Sequence, residues 1–138
     1  MWWIYALLSA LFAALTAIFA KVGIKGVDTD LATAIRTVVI LLIAWAIVFF
    51  KGSAAGMGGL TKINWTFLVL SGLATGLSWI CYFKALQLGK VSQVAPIDKL
   101  SVALAIILAV LFLKESLSIK QAVGALMIIG GSVVLIFA

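Results

Sequence analysis

The chain has 138 residues, of which 66% belong to the hydrophobic set and only 10% are charged. A soluble globular domain averages roughly 45–50% apolar and about 25% charged residues, so this composition excludes that class. Because a hydrocarbon core about 30 Å thick needs roughly 20 helical residues per crossing, the chain has room for about five or six crossings and for no aqueous domain.

The polar residues are too few for most kinds of enzyme site. The sequence has no His and one Cys, and its acids are Asp28, Asp30, Asp98 and Glu115. A zinc site, a Ser-His-Asp triad and a Cys-His pair therefore cannot form within one chain, and we expect neither a metal nor a cofactor. The net charge of +6 is better explained by orientation in a membrane or attraction of anions than by nucleic-acid binding, because so little aqueous surface is available.

Charged residues and glycines divide the chain into five apolar runs of helical length. In chain order the predicted spans cover residues 2–20, 31–50, 65–88, 94–113 and 119–138. The first run is long for a signal peptide and no Lys or Arg precedes it, so we expect it to be retained. The runs do not alternate as barrel strands would, and they predict an all-α integral membrane protein with five transmembrane helices.

An odd number of spans puts the two termini on opposite sides of the membrane, and we call the side of Met1 side A and the other side B. Near the span ends, side A has Lys51, Lys62, Lys114 and Lys120, and side B has Lys21, Lys25, Lys84 and Lys90. Because Lys and Arg asymmetry normally fixes orientation, this equal count predicts insertion in both orientations. Arg36 and Lys99 lie deeper and add to side B, so the alternative is a fixed topology with side B inside.

Four ionisable residues fall within the predicted spans, namely Arg36, Lys84, Asp98 and Lys99. Such residues cost roughly 2.5–3.5 kcal/mol each at the centre of a span and usually have a function. All four lie in one layer on side B, about 6–7.5 Å from the span ends. The alternative is that Lys84 and Lys99 extend to the surface, while Asp98 pairs with Arg36 or Lys99.

The third span has a polar stripe beside an aromatic one. At 100° per residue, Ser71, Thr75, Ser78 and Tyr82 share one stripe, and Trp79 and Phe83 lie on the adjoining one. Trp79 is near the predicted midplane, where it either fills the core or forms the floor of a binding cavity. In an antiparallel pair of chains the charged layer occurs twice around such a cavity, and its excess of cations favours an anionic or zwitterionic substrate.

These residues resemble a known family. Three segments are the most specific, namely Tyr82–Leu86, Ala95–Ser101 and Phe112–Glu115, and the whole chain is similar to one EamA-type module of the drug/metabolite transporter superfamily. The resemblance implies a single module over residues 1–138, equivalent to half of a ten-helix inverted-repeat transporter fold. It also implies an antiparallel homodimer that transports small metabolites by alternating access.

The last span resembles the dimerising helix of small multidrug resistance proteins. Gly124 and Gly131 lie seven residues apart on one face, with Ile128 between them, so we expect these three residues at the dimer interface. Packing within the monomer is the alternative. The first span has no acid, which departs from the multidrug pattern and argues against proton exchange at that helix.

The sequence therefore predicts a multi-pass protein of the bacterial inner membrane that binds a small molecule, the lipid bilayer and an antiparallel second copy of itself. The predicted substrate-binding residues are Arg36, Thr75, Ser78, Trp79, Tyr82, Lys84, Asp98 and Lys99, with Asp98 holding the cations when substrate is absent. The alternative function is a non-catalytic membrane subunit of a heteromeric lipid-linked sugar flippase or of another membrane assembly.

Overall fold

The computed structural model describes residues 1–137, which form six α-helices, one 3₁₀ helix and no strand. The helices are α1 (Trp2–Gly23), α2 (Thr29–Phe50), α3 (Lys62–Leu88), α4 (Val91–Asp98), α5 (Leu100–Leu113) and α6 (Ile119–Phe137), with the 3₁₀ helix Ser53–Gly59 between α2 and α3.

Five stretches are long and apolar enough to cross a membrane. Four of them are single helices, α1, α2, α3 and α6, and the fifth is Val91–Leu113, which consists of α4 followed by α5. At most 11% of the residues in the most apolar window of any span are buried, so most of these side chains are available to contact lipid or another chain. The prediction of an all-α membrane protein with five spans is confirmed.

Four helices extend beyond the apolar runs that predict them, among them α4, which begins at Val91 rather than at residue 94. Helix α1 continues to Gly23, α2 begins at Thr29, and α3 begins at Lys62. The apolar run marks only the part of a span that lies in hydrocarbon, whereas the helix continues through the headgroup region, where it still satisfies its own backbone N–H and C=O groups.

Polar side chains cap the starts of three spans, and at α3 the Asn64 amide donates to Oγ1 of Thr61 at 3.2 Å. Oδ1 of Asp28 accepts hydrogen bonds from the amides of Asp30 and Leu31, both at 3.0 Å, and so begins α2. At the start of α6, the Ser118 amide donates to Oε1 of Gln121 at 2.9 Å, and the Gln121 amide donates to Oγ of Ser118 at 3.2 Å. This reciprocal pair is a capping box, which satisfies two amides that have no partner inside the helix.

The fourth span contains a one-residue turn at Lys99, which we call the break; its backbone angles stay right-handed (φ −70°, ψ −11°), and the apolar run from 94 to 113 did not predict it. Lys99 is the single residue between the two helices, since α4 ends at Asp98 and α5 begins at Leu100. Pro96 lies inside α4 and has no N–H, so it removes one hydrogen bond of the helix. The Lys99 amide bonds to the carbonyls of Ala95 and Pro96, and the Val102 amide bonds to the Lys99 carbonyl at 3.0 Å, which tightens the turn at the break.

Helix α5 ends in an unusual backbone conformation. Lys114 has φ 55° and ψ 32°, the left-handed region that glycine favours and other L-residues rarely adopt. Its amide and that of Glu115 both donate to the carbonyl of Ala109. The left-handed residue thus satisfies a carbonyl that the end of the helix leaves without a partner.

The chain divides into two compact units, Met1–Lys21 with Leu88–Ala138, and Val22–Gln87. In the first unit, α6 packs against both α4 and α5, and Nζ of Lys21 donates to the carbonyl of Gly89 at 2.7 Å. In the second unit, α2 contacts the 3₁₀ helix. This division by contacts does not test whether residues 1–138 act as one module, which stays a prediction.

Each unit has a small buried core. In the second unit, Ile24, Phe83 and Leu86 are almost completely buried, and so are the hydroxyl-bearing residues Thr29 and Thr33. In the first unit the buried residues are Ala17, Ala20, Val94, Ala103 and Ser132. These cores are too small to account for more than a fraction of the apolar side chains, which supports a lipid environment for the remainder.

Candidate functional site

The most distinctive polar contact inside the spans joins Arg36 of α2 to two aromatic rings of α3. The guanidinium carbon of Arg36 lies 4.0 Å from the centroid of the Trp79 ring and 5.0 Å from the centroid of the Phe83 ring. Trp79 and Phe83 are four residues apart and therefore lie one above the other on one face of α3. A cation within about 6 Å of an aromatic centroid is attracted by roughly 0.5–2 kcal/mol, the upper value applying when water is excluded.

Helix α2 presents Arg36 on its polar face. Thr29, Thr33 and Arg36 follow one another at spacings of four and three residues, so they share that face. The hydroxyls of Thr33 and Thr37 donate to the carbonyls four residues earlier, both at 2.8 Å, which satisfies each hydroxyl within its own helix. The guanidinium of Arg36 donates no hydrogen bond to any of residues 1–137, so its N–H groups are available to a ligand.

Tyr82 borders the same site. Its ring lies edge-on to that of Phe83, with centroids 6.4 Å apart and planes at 76°. The other three residues of the predicted polar stripe differ from it in exposure: Ser71, Thr75 and Ser78 are exposed, and the Thr75 hydroxyl donates to the carbonyl of Ser71 at 2.9 Å. Of the polar stripe, Tyr82 is thus the residue whose ring contacts Phe83, one of the two rings that Arg36 contacts.

Asp98 and Lys99 form an ion pair in the first unit. Nζ of Lys99 lies 3.4 Å from Oδ2 of Asp98, and the side chains are 54% and 38% exposed. Of the two partners that the sequence suggests for Asp98, Arg36 and Lys99, the structure therefore pairs it with Lys99. Lys99 also lines an open groove of about 430 Å³, whose other walls are apolar or small side chains of α4 and α6, including Pro96, Ile128 and Gly131.

Lys84 is exposed and contacts a residue that the sequence analysis does not include in the site. Its Nζ lies 3.5 Å from Oε1 of Gln87, and Nε2 of Gln87 donates to the carbonyl of Val27 at 3.1 Å. Val27 immediately precedes Asp28, the residue that caps the start of α2. Gln87 lies eight residues after Trp79, on the same side of α3, but its partner is a backbone carbonyl, which no side-chain pattern indicates.

The glycine face of α6 has no close neighbour among the described residues. A Cβ built at Gly124 or at Gly131 would meet no atom within 4 Å, and Ile128 is 38% exposed. An added methyl group would therefore meet no neighbour at either glycine, and packing within the monomer stays the alternative to a dimer interface. The face is open, whereas its use by a second copy stays a prediction.

A second cavity, of about 390 Å³, lies between α5, α6 and the connector that joins them. Its polar lining comes from Glu115, Ser116 and Gln121, and its remaining lining is apolar. Among residues 1–137, no group of three or more His, Cys, Asp or Glu side chains is arranged to hold a metal ion.

Comparisons with known proteins agree with this architecture. The model of the EamA-like transporter family matches residues 1–137. An uncharacterized transporter in the cobO 3' region of Sinorhizobium sp is 50% identical over 134 residues, which cover 97% of this chain and 95% of that protein. The uncharacterized protein MJ1333.1 of Methanocaldococcus jannaschii is 33% identical over 70 residues, 51% of each chain. No solved structure matches significantly. The chain is thus a multi-pass membrane transporter and belongs to the EamA-like transporter family.

Proposed function

We propose that the protein transports small anionic or zwitterionic metabolites by alternating access, as an antiparallel homodimer in the bacterial inner membrane. The observation that carries the proposal is the Arg36 guanidinium, which lies over Trp79 and Phe83 inside a membrane span and donates no hydrogen bond to any described residue.

A guanidinium contacts aromatic rings and donates hydrogen bonds in different directions. Its flat face stacks on aromatic rings, while its five N–H donors point outward in the plane and match the two oxygens of a carboxylate or phosphate. Stacking on Trp79 and Phe83 therefore leaves the donors of Arg36 directed at a ligand. An anionic group is the complementary partner for them.

The magnitudes favour the same conclusion. An Arg at the centre of a span costs roughly 2.5–3.5 kcal/mol on insertion scales, and the cost falls toward the span ends, so it is smaller at Arg36, about 10 Å from the start of α2. Contact with the two rings recovers about 0.5–2 kcal/mol. The rings therefore make the position of Arg36 inside the span tolerable, and its hydrogen-bond donors remain for a substrate.

The role of the other predicted residues follows from their positions. The Tyr82 ring lies against Phe83, one of the two rings that Arg36 contacts, and the Asp98–Lys99 pair lies at the break of the fourth span. Ionisable residues inside spans commonly mark substrate or ion pathways. We infer that Asp98 and Lys99 form a second polar element of the pathway, and that Lys84, Thr75 and Ser78 contribute polar lining.

The open glycine face of α6 and the balanced flanking charges support the antiparallel dimer. Two identical five-span chains in opposite orientations reproduce an inverted repeat of ten helices. Gly124, Ile128 and Gly131 would then meet the same face of the second copy. Tags at the two termini, assayed for accessibility in cells, test this: one orientation for every molecule would contradict dual insertion.

Transport in liposomes tests the anion site. A thermal-shift screen of amino acids, dicarboxylates and sugar phosphates, with choline as the cationic contrast, first selects the compounds that raise the melting temperature, as specific ligands do. Counterflow of a selected compound should then be lost in Arg36→Ala and reduced in Arg36→Lys, which keeps the charge but not the bidentate geometry.

Lys25→Ala is the matched control, because Lys25 is an exposed cation outside the helices. It should transport as the parent does. Normal counterflow by Arg36→Ala would contradict the anion-site proposal. A purified chain that is monomeric and inactive until another membrane protein is added would instead support the heteromeric subunit.

A further inference from the structure

Gln87 forms a hydrogen bond that joins two distant parts of the second unit. Its Nε2 donates to the carbonyl of Val27 at 3.1 Å, although the two residues are 60 positions apart in the chain. Nζ of Lys84 lies 3.5 Å from the other end of the same amide, Oε1. The Gln87 amide is therefore held at both ends, and its donor is directed at the turn before α2.

The turn that Gln87 contacts determines where α2 begins. Val27 immediately precedes Asp28, whose carboxylate accepts hydrogen bonds from two amides of the first turn of the helix, those of Asp30 and Leu31. A hydrogen bond to the Val27 carbonyl thus fixes the start of α2 against the end of α3. It acts on the backbone, so the identity of the Val27 side chain is not involved.

The distances along the axes of α2 and α3 relate the Gln87–Val27 hydrogen bond to the Arg36 site. Arg36 lies seven residues after the start of α2, about 10 Å along its axis. On α3, Phe83 and Trp79 lie four and eight residues before Gln87, about 6 and 12 Å along that axis. The guanidinium falls between the heights of the two rings, as two antiparallel helices held together at Val27 and Gln87 would place it.

Buried side chains around the Gln87–Val27 hydrogen bond limit how far α2 can shift along α3. Phe83 is 2% exposed and Leu86 fully buried on α3, and Ile24 is 2% exposed in the turn before α2. Close packing of this kind tolerates discrete shifts of about one helical turn, roughly 5.4 Å, better than small ones. A shift of one turn would move Arg36 away from the position in which it contacts both rings.

We propose that Gln87 is a positioning residue for substrate binding: its hydrogen bond to Val27 sets the register of α2 on α3 that holds Arg36 over Trp79 and Phe83. The transport part of this inference rests on the proposed function. The part about register does not, so the two can be tested separately.

The register is measured with Trp79 as the only tryptophan, after Trp2, Trp3, Trp45 and Trp65 are changed to Phe. Quenching of Trp79 by brominated phospholipids reports how much of its ring is open to lipid, and Arg36→Ala provides the value for the uncovered ring. Gln87→Leu should raise quenching toward that value, and it should add nothing in the Arg36→Ala background.

Transport supplies the second readout. Gln87→Leu should raise the KM for a compound selected by the thermal-shift screen by about tenfold, the effect expected for the loss of one ordering hydrogen bond, while kcat changes by less than about twofold. Gln87→Glu keeps the size of the side chain but cannot donate to a carbonyl, so it should behave in the same way. It also replaces Gln87→Leu if that variant does not fold.

Gln93→Leu is the control, because the Gln93 side chain makes no hydrogen bond with any of residues 1–137. It should leave both readouts unchanged. Unaltered quenching in both Gln87 variants would overturn the proposal. Raised quenching with normal transport in these variants and in Arg36→Ala would instead retain the register and reject the anion site.

Discussion

Nζ of Lys99 lies 3.4 Å from Oδ2 of Asp98 at the point where the fourth span passes from α4 to α5. The two charges are adjacent in sequence, and the turn between the helices lets their side chains meet. Opposite charges in contact lower the cost of placing either of them in a span. The break and the ion pair thus lie at the same place in the fourth span, three residues after Pro96.

Replacing Pro96 should join the two helices. Pro96→Ala restores an N–H to the carbonyl of Ser92, and a proline inside a helix costs about 3 kcal/mol relative to alanine. We expect a higher melting temperature in detergent, more helical circular dichroism, and slower transport if the break is used in alternating access.

Gln93→Ala, in the same helix, should change none of these properties. A Pro96→Ala protein that is more stable and transports at the parent rate would show that the break is dispensable.

The contact between Arg36 and Trp79 should be measurable as a coupling energy. Arg36→Ala and Trp79→Leu, alone and together, form a double-mutant cycle in equilibrium unfolding from detergent micelles. We expect a coupling of about 1–2 kcal/mol, because the pair is shielded from bulk water. Arg36→Ala with Trp45→Leu serves as the reference cycle, since Trp45 stacks instead on Phe49, and its coupling should be close to zero.

The capping box should stabilise α6. Ser118→Ala removes the acceptor of the Gln121 amide and should lower the free energy of unfolding by about 1 kcal/mol. Ser118→Asp keeps an acceptor and should retain most of that stability. Equal stability of the alanine and aspartate variants would indicate that water replaces the cap at the membrane surface.

Replacing Lys114 with glycine should stabilise the protein. With φ at 55°, an L-residue is strained, and Lys114→Gly should raise the free energy of unfolding by about 0.5–1 kcal/mol. Lys114→Val, which is β-branched, should lower it. The comparison of these two variants separates backbone strain from loss of the lysine charge, because both remove the charge.

The glycine face of α6 gives a prediction about assembly. Gly131→Ile adds a side chain where no atom lies within 4 Å of the added Cβ, so the single chain should remain as stable as the parent. If the face meets a second copy, crosslinked dimers should fall severalfold, since bulk prevents close approach of the helices. Gly130→Ile, on the neighbouring face, is equally uncrowded in the protomer and should leave the dimer intact.

Much of the fold was predictable because the membrane reduces the choices. A run such as 31–50 is apolar, long and free of breaks other than Arg36, and in hydrocarbon a helix is the structure that satisfies its backbone. The break at Lys99 was not predictable in the same way. Transmembrane helices tolerate proline, so Pro96 alone does not distinguish a kinked helix from an interrupted one.

The candidate site was predictable in composition rather than in contacts. Arg36, Trp79 and Tyr82 stand out because ionisable and polar aromatic residues are unusual inside apolar runs. That Arg36 contacts Trp79 depends on the register of α2 against α3, which periodicity within each helix does not determine. Gln87 was missed for the same reason, since its partner is a backbone carbonyl and leaves no trace in the side-chain pattern.

The break in the fourth span also makes its two helices depend on each other. Helix α5 has 14 residues and α4 has eight, so they extend only about 21 and 12 Å, and neither alone crosses a hydrocarbon layer about 30 Å thick. They cross the membrane only as one span, with the ion pair between them. Because α6 packs against both, it holds the two pieces in line, and a change in α6 that weakened this packing would disturb the whole crossing.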